Sequence, residues 1–368
     1  MTLSKEPPST PEPRTTPEQR TEPAGNRYAE LGPRRRRIRT VRLVTVRSVV
    51  EFLRDGSPDL AASLTFFGVL SLFPAILAGV SLLGVFGQGE RTVDAVMDMV
   101  EEVVPAEVVD PIRGPVEALV TTPAAGTALI VGVVVAVWTS SRYVSALGRA
   151  MNAIYGVDEG RPIWIHKPLG VLLTALLIVF VAIAGVALVF SGPIAETVGG
   201  WIGLGDTALD VWAVAKWPVA AGAAVLALAT LYRYTPNISG RRFHWLSLGA
   251  AAALLLVGIA TLGFNIYVSV SGSFSRTYGP LAGIIVFLIW LWLVNMAVLY
   301  GARLDAEVLR VRQLAAGLEV EEAISVTPRS TSASEAAERR RRAMLDDFAE
   351  IRRFSQSDPD GPREAPAP

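Results

Sequence analysis

Between residues 59 and 301 the chain carries only 25 charged side chains in 243 positions, while the other 125 residues carry 43. A water-soluble domain is about one-quarter charged throughout, because its whole surface must be wetted. A stretch this long at less than half that density cannot cover itself in water. The middle of the chain is therefore expected to lie in a membrane.

Six apolar runs fall within it, each near the ~20 residues a helix needs to cross the hydrocarbon layer. They cover about 60–86, 126–147, 168–191, 212–232, 246–270 and 280–301. The fourth opens on Lys216, Trp217 and Pro218. A lysine can snorkel to the interface, and a proline is tolerated in a first helical turn. The fold class expected is an all-α membrane protein, a six-transmembrane-helix bundle.

Basic residues orient the spans. Twelve Lys or Arg precede the first span. Arg142, Arg149, Arg161 and Lys167 lie around the loop between spans two and three, and Arg233, Arg241 and Arg242 around the one between spans four and five. By contrast, loop 87–125 has two arginines against eight acids, and loop 192–211 has no Lys or Arg. Both termini are thus expected in the cytoplasm. Loop 87–125 reads as an outward-facing helical element, with Val93, Val96, Met97, Val100 and Val104 at helical spacing before Pro105.

Three parts are expected. Residues 1–44 are a disordered, basic cytoplasmic segment, residues 45–312 the membrane domain, and residues 313–368 a charged cytoplasmic tail. Seven prolines among polar residues mark 1–33 as unable to bury a core. Arg34 to Arg54, interleaved with valines and leucines, reads as a basic amphipathic segment on an anionic membrane surface. Residues 325–334 read as linker, and Ser334–Phe354 as a short amphipathic helix with Met344, Leu345, Phe348 and Ile351 on one side. Such a helix can bind anionic lipid, but it reads first as a solvated tail.

The chain has no cysteine and two histidines, His166 and His244, in different loops. A disulfide framework, an iron–sulfur cluster and a His- or thiolate-based metal site are excluded on that basis, and no metal or cofactor is expected. No leader-like apolar core precedes the first span, so that span is expected to be retained. The zero net charge gives no reason to expect nucleic acid as a partner.

Polar residues within spans are costly and become functional candidates. Arg142, Ser145, Arg149 and Asn152 are spaced 3, 4 and 3 and share a helix face. With Arg233 they form a candidate phosphate or headgroup site, the competing reading being ordinary snorkelling at a helix end. Ser71, Pro74, Asn265 and Asn295 are candidates for gating or for helix packing, with Pro74 expected to kink the first span. No buried acid suited to proton relay is expected.

Four places carry a family resemblance: Ala61–Pro74 with its Leu-Ser-Leu-Phe-Pro; Ser141-Arg142 through Ala153-Ile154-Tyr155-Gly156-Val157 with Glu159 and Arg161; Tyr232-Arg233 with Pro236-Asn237; and Tyr278-Gly279-Pro280 with Gly301-Ala302 and Glu307. In order and spacing they resemble the YihY/BrkB family of bacterial inner-membrane proteins over roughly residues 45–312. Phe66-Phe67 stands where that family commonly has tyrosines. The resemblance implies a multi-pass protein of the bacterial cytoplasmic membrane.

An older label of the family is tRNA-processing ribonuclease. Phosphodiester hydrolysis calls for metal-bound carboxylates or an acid–base pair in a wet domain. The short cytoplasmic loops offer only Asp158, Glu159, His166 and His244, and the acid-rich loop faces outward. The nuclease reading is rejected and no enzyme activity is expected. The expected function is binding or translocation of a lipid, anionic by the basic rim, or of another envelope amphiphile. The alternative is an envelope scaffold docking protein partners through its tails. A homo-oligomer is compatible with either.

Overall fold

The computed structural model describes residues 31–85, 125–189, 206–239, 247–270 and 281–357. They form eight helices: α1 Pro33–Arg54, α2 Ser57–Val85, α3 Ala125–Tyr155, α4 Ile163–Val189, α5 Asp206–Tyr234, α6 Leu248–Val270, α7 Leu281–Ala315 and α8 Ser332–Ser357. The described residues form no strand, only one isolated bridge between Ile238 and Pro328. The chain divides into two compact units, one ending at Leu43 and one running from Val44 to Pro368. In the first, the Pro33–Leu43 part of α1 exposes its arginines and also Ile38 and Val41.

In the second unit α2 to α7 close a ring. α2 packs on α3 and α7, α7 on α6, α6 on α5, α5 on α4 and α4 on α3, with a diagonal contact between α3 and α7. Each helix is apolar around much of its circumference, so each has faces that no neighbour covers. α4 leaves Leu172, Val179, Val181 and Val186 at least half exposed. An apolar surface of this extent demands a non-aqueous surrounding. Ile163–Ala187, Thr207–Tyr234 and Gly283–Ala315 are long and apolar enough to cross a membrane, and Leu248–Phe264 is a shorter apolar helix.

The buried core lies toward the end of the ring where α3 and α5 finish and α2 and α6 begin. Leu64, Leu147, Met151, Tyr155, Leu231, Tyr232 and Leu299 form its centre. Alanines fill the closest approaches, and α6 meets α7 backbone to backbone. A Cβ on Gly249 would stand 2.0 Å from the carbonyl oxygen of Gly301. Only glycine permits that distance. The Asp305 carboxylate of α7 accepts the Gly249 amide at 2.7 Å, placing negative charge at the electropositive start of α6.

Several boundaries differ from the sequence expectation. Pro218 is not in a first turn: α5 begins at Asp206, so the proline sits well inside it. The helix tolerates Pro218 at the cost of one backbone hydrogen bond, and Lys216 lies 5.8 Å over the Trp217 ring. Two other helices run past their apolar stretches: α3 to Tyr155, in keeping with the shared helix face of Arg142 to Asn152, and α7 to Ala315. The outward loop 87–125, apart from Ala125, lies outside the described residues, as do the residue 1–30 segment and Tyr278-Gly279-Pro280.

The segment from Val44 to Arg54 also departs from expectation. Ser48 and Phe52 are buried, and the Phe52 ring meets Tyr300 of α7 edge-on at 5.7 Å. This part of α1 is bound into the bundle by one face rather than lying free on a surface. The expected linker at 325–334 is likewise an extended strap tied to the loops by backbone hydrogen bonds.

Candidate functional site

Three polar centres lie along the ring. In the membrane, Asn295 of α7 is fully buried. The Tyr143 hydroxyl of α3 donates to its Oδ1 at 2.8 Å, and its Nδ2 donates to Thr65 Oγ1 of α2 at 3.1 Å. The Thr65 hydroxyl in turn donates to the Ala61 carbonyl at 2.8 Å. Every polar atom of this trio is used in joining three helices, a bond type worth about 0.5–2 kcal/mol each in a bilayer. Asn295 thus links α2, α3 and α7 by hydrogen bonds. Ser71 donates to the Gly68 carbonyl at 2.7 Å. α2 passes through position 74 as helix, while the side chains of Pro74 and Asn265 lie outside the described residues.

The second centre joins α1 to α7. Arg303, 5% exposed, reaches Asp55 at 3.0 Å, Glu51 at 3.2 Å and Glu307 at 3.4 Å. It also donates to the Ile154 carbonyl at 3.1 Å. Glu307, 1% exposed, receives Arg310 at 3.1 Å and Arg47 at 3.3 Å. With Arg54 at 3.8 Å from Glu51, four arginines thus face three acids. Burial pushes the Asp55 carboxyl above its ordinary value, against the pull of Arg303 and with a further push from Glu51. Asp305 and Glu307 are both buried acids, the first held by the Gly249 amide and the second by arginines.

The third centre closes the loops on the same end. Arg161 holds Glu159 through two hydrogen bonds of 2.7 Å and donates to the carbonyls of Tyr234 and Thr235 at 3.1 and 2.7 Å. Asn152 donates to Glu159 at 3.0 Å and accepts the Asn237 amide at 2.8 Å. Burial alone raises the Glu159 carboxyl, but the hydrogen bonds and charge of Arg161, with His166 and Asn152, outweigh it and hold the group below its ordinary value.

Asn237 then fastens the strap. Its Nδ2 donates to the carbonyls of Asp158 and Ser330, both at 2.9 Å. Ser239 N donates to the Thr327 carbonyl at 2.8 Å, and Ala333 N to the Gly160 carbonyl at 2.9 Å. At the strap's start, Arg310 donates to the Val320 carbonyl, and Arg47 to that of Glu321 at 2.8 Å. The residues after α7 therefore cross the whole end of the bundle before α8 begins.

The proposed headgroup residues divide against this background. Asn152 is committed to Glu159 and Asn237. Ser145 donates to the Ser141 carbonyl at 2.8 Å. Arg233 is half-buried, and its carbonyl accepts from Arg329. Arg142 and Arg149 are exposed and form no ion pair with any described residue. Arg149 and Lys167 both lie near enough to His166, at the start of α4, to disfavour its charged form. Trp164 beside them is 76% exposed. His166 approaches Glu159 at 3.6 Å, a carboxylate already held by Arg161. Among the described residues no three His, Asp or Glu gather as metal ligands.

A profile of the family described as Virulence factor BrkB matches residues 48–323, from the buried face of α1 through α7. The chain belongs to the BrkB family. Ribonuclease-like protein YfkH of Bacillus subtilis is 27% identical over 69% of this chain and 90% of its own length. A UPF0761 membrane protein of Laribacter hongkongensis is 31% identical over 67% of this chain. Another, of Rhodospirillum centenum, is 26% identical over 70%. The chain covers 57% and 56% of those two relatives' lengths. No solved structure matches. With its apolar helices, this BrkB protein is an integral membrane protein.

The residues that carried the resemblance are largely those that hold the bundle's end together: Tyr155, Glu159, Arg161, Tyr232, Asn237, Gly301, Ala302 and Glu307. Missing from the sequence reading were Tyr143, the strap at 324–331 and the joint action of Glu51, Asp55 and Arg303. Of these only the paired acids at Glu51 and Asp55, one helical turn apart, left a visible signal.

Proposed function

We propose that this BrkB-family protein is a six-span protein of the bacterial cytoplasmic membrane, with both termini inside, that binds or translocates an anionic lipid or envelope amphiphile. The observation that carries the reading is the exposed pair Arg142 and Arg149 on one face of α3. They are two turns, about 10 Å, apart along the helix axis. A guanidinium with no acidic neighbour among the described residues, at the polar end of an apolar helix, is suited to a phosphate or carboxylate headgroup. Lys167 and Trp164 on α4 extend the same basic and aromatic rim. The buried ion pairs next to it have fixed partners and serve as a rigid frame.

Reconstituted vesicles with fluorescent phosphatidylglycerol and phosphatidylcholine analogues test this. The expected result is movement selective for the anionic lipid and lost in Arg142→Gln/Arg149→Gln. Folded protein that moves neither lipid overturns the transport reading in favour of a scaffold. Movement undiminished in the double variant removes the arginines from the site. For topology, the cysteine-free chain allows single cysteines at either end to be probed with impermeant reagents, and protection of both ends in right-side-out vesicles is expected.

A further inference from the structure

We propose that α8 is a membrane-surface arm, lying in the headgroup layer of the same bilayer that holds the bundle and facing the acyl chains with Met344, Leu345, Phe348, Ile351 and Phe354. These five are between 54% and 70% exposed, and no residue of α8 is buried. Around the helix they occupy one half, with Met344, Phe348 and Ile351 at its centre. Glu335, Arg339, Arg342, Asp346 and Arg353 occupy the opposite half. Five large apolar side chains on one side of a 26-residue helix form a surface that must be covered.

Two observations select the bilayer as the cover. The first is where α8 is rooted. Ala333 N and the Ser330 hydroxyl both donate to the Gly160 carbonyl at 2.9 Å. Gly160 lies three residues before Ile163, where α4 begins with Ile163 and Trp164 more than 70% exposed. An exposed Trp at a helix end marks the headgroup level, and three residues reach at most about 10 Å. The start of α8 is thus pinned close to the membrane boundary. Held there, the helix binds its own bilayer as an intramolecular event and needs little intrinsic affinity.

The second is how its arginines are paired. On the solvent half, Arg339 pairs with Glu335 at 3.8 Å, and Arg342 pairs with Glu338, near the edge of that half, at 3.1 Å. Arg340, Arg341 and Arg352 fall within the apolar arc, the first two a turn before Met344 begins it, and meet no described acid. Their long stems let the guanidiniums snorkel up to the headgroups. This arrangement leaves cation available where lipid phosphates would lie and neutralises it where water would. Asp347, the one acid on the apolar side, keeps the helix at the surface rather than within the hydrocarbon.

The chain has no native cysteine, so single labels report cleanly. Full-length protein with a bimane at Met344→Cys, Phe348→Cys or Ile351→Cys, or at Arg342→Cys, Asp346→Cys or Arg353→Cys, is reconstituted in phosphatidylcholine–phosphatidylglycerol vesicles with brominated acyl chains. A label at Trp164→Cys confirms insertion. Strong quenching at the first three positions and its loss at the second three is the expected result. Arg340→Glu/Arg341→Glu should abolish quenching at the Phe348 label. Equal quenching on both faces would mean insertion and overturn the proposal. So would its absence on both faces, whether α8 is then solvated or paired with a second copy, as label-to-label distances would show.

Discussion

Arg303 of α7 and Asp55, at the corner between α1 and α2, stand 3.0 Å apart with 6% and 23% of their side chains exposed. The same guanidinium meets Glu51 and Glu307, so one cation holds three carboxylates away from water. Replacing Arg303 with methionine takes from Asp55 its one ion-pair partner among the described residues and leaves Glu51 and Glu307 to Arg47, Arg54 and Arg310. The expected cost is about 3–5 kcal/mol, the range for breaking a buried pair from one side. Equilibrium unfolding in bicelles measures it. Replacing Arg303, Glu51 and Asp55 together by apolar residues should recover much of the loss, and a triple variant as unstable as the single one would contradict the account.

Ser48 gives the opposite sign. It is fully buried one turn before Glu51, and its hydroxyl meets no hydrogen-bond partner among the described residues. A buried polar group without a partner costs about 1–3 kcal/mol. Ser48→Ala should therefore raise stability by about 1 kcal/mol under the same conditions. A loss of stability would show that the hydroxyl is engaged.

These two sites show where the sequence could and could not be read. The apolar helices were legible because hydrocarbon tolerates so few charges that an uninterrupted run signals itself. Arg303 and Glu307 were legible as charges just past the last apolar run, but not as buried groups. Their i,i+4 spacing is equally at home on a wet face, and the partners that bury them lie some 250 positions earlier. Asn152 looked available on the shared face with Arg142 and Arg149. Its commitment to Asn237 depends on how α5 ends against α3, which no local pattern records. The strap left least trace, because many of its bonds run from side chains elsewhere in the sequence, Asn237, Arg47 and Arg310 among them, to its backbone carbonyls, which any sequence offers.

Gly160 tests the strap directly. A Cβ there would stand 1.9 Å from the Ser330 carbonyl oxygen, a distance no rotamer relieves. Gly160→Ala should release residues 324–333 and expose them to protease. The cleavage rate there should rise by an order of magnitude or more, with the bundle intact. Gly185→Ala, where a Cβ meets nothing within 4 Å, is the matched control and should leave the rate unchanged.

Glu159 makes the same docking sensitive to pH. Its carboxyl is held below the ordinary value of 4.5, so the undocked state takes up a proton more readily than the docked one. Docking is then fully supported above pH 4.5 and lost as pH falls through the lowered value. Loss of the negative charge weakens the hold on Arg161 and Asn152, and through Asn152 the seat of Asn237 beneath Ser330. Amide hydrogen exchange over residues 324–333, corrected for intrinsic rates, should show protection falling as pH drops below 4.5. Glu159→Gln should show weaker protection at neutral pH and a flat profile on acidification. A wild-type profile that is flat over that range would place the strap's stability elsewhere, in the Ile238–Pro328 bridge and the Arg329 contacts.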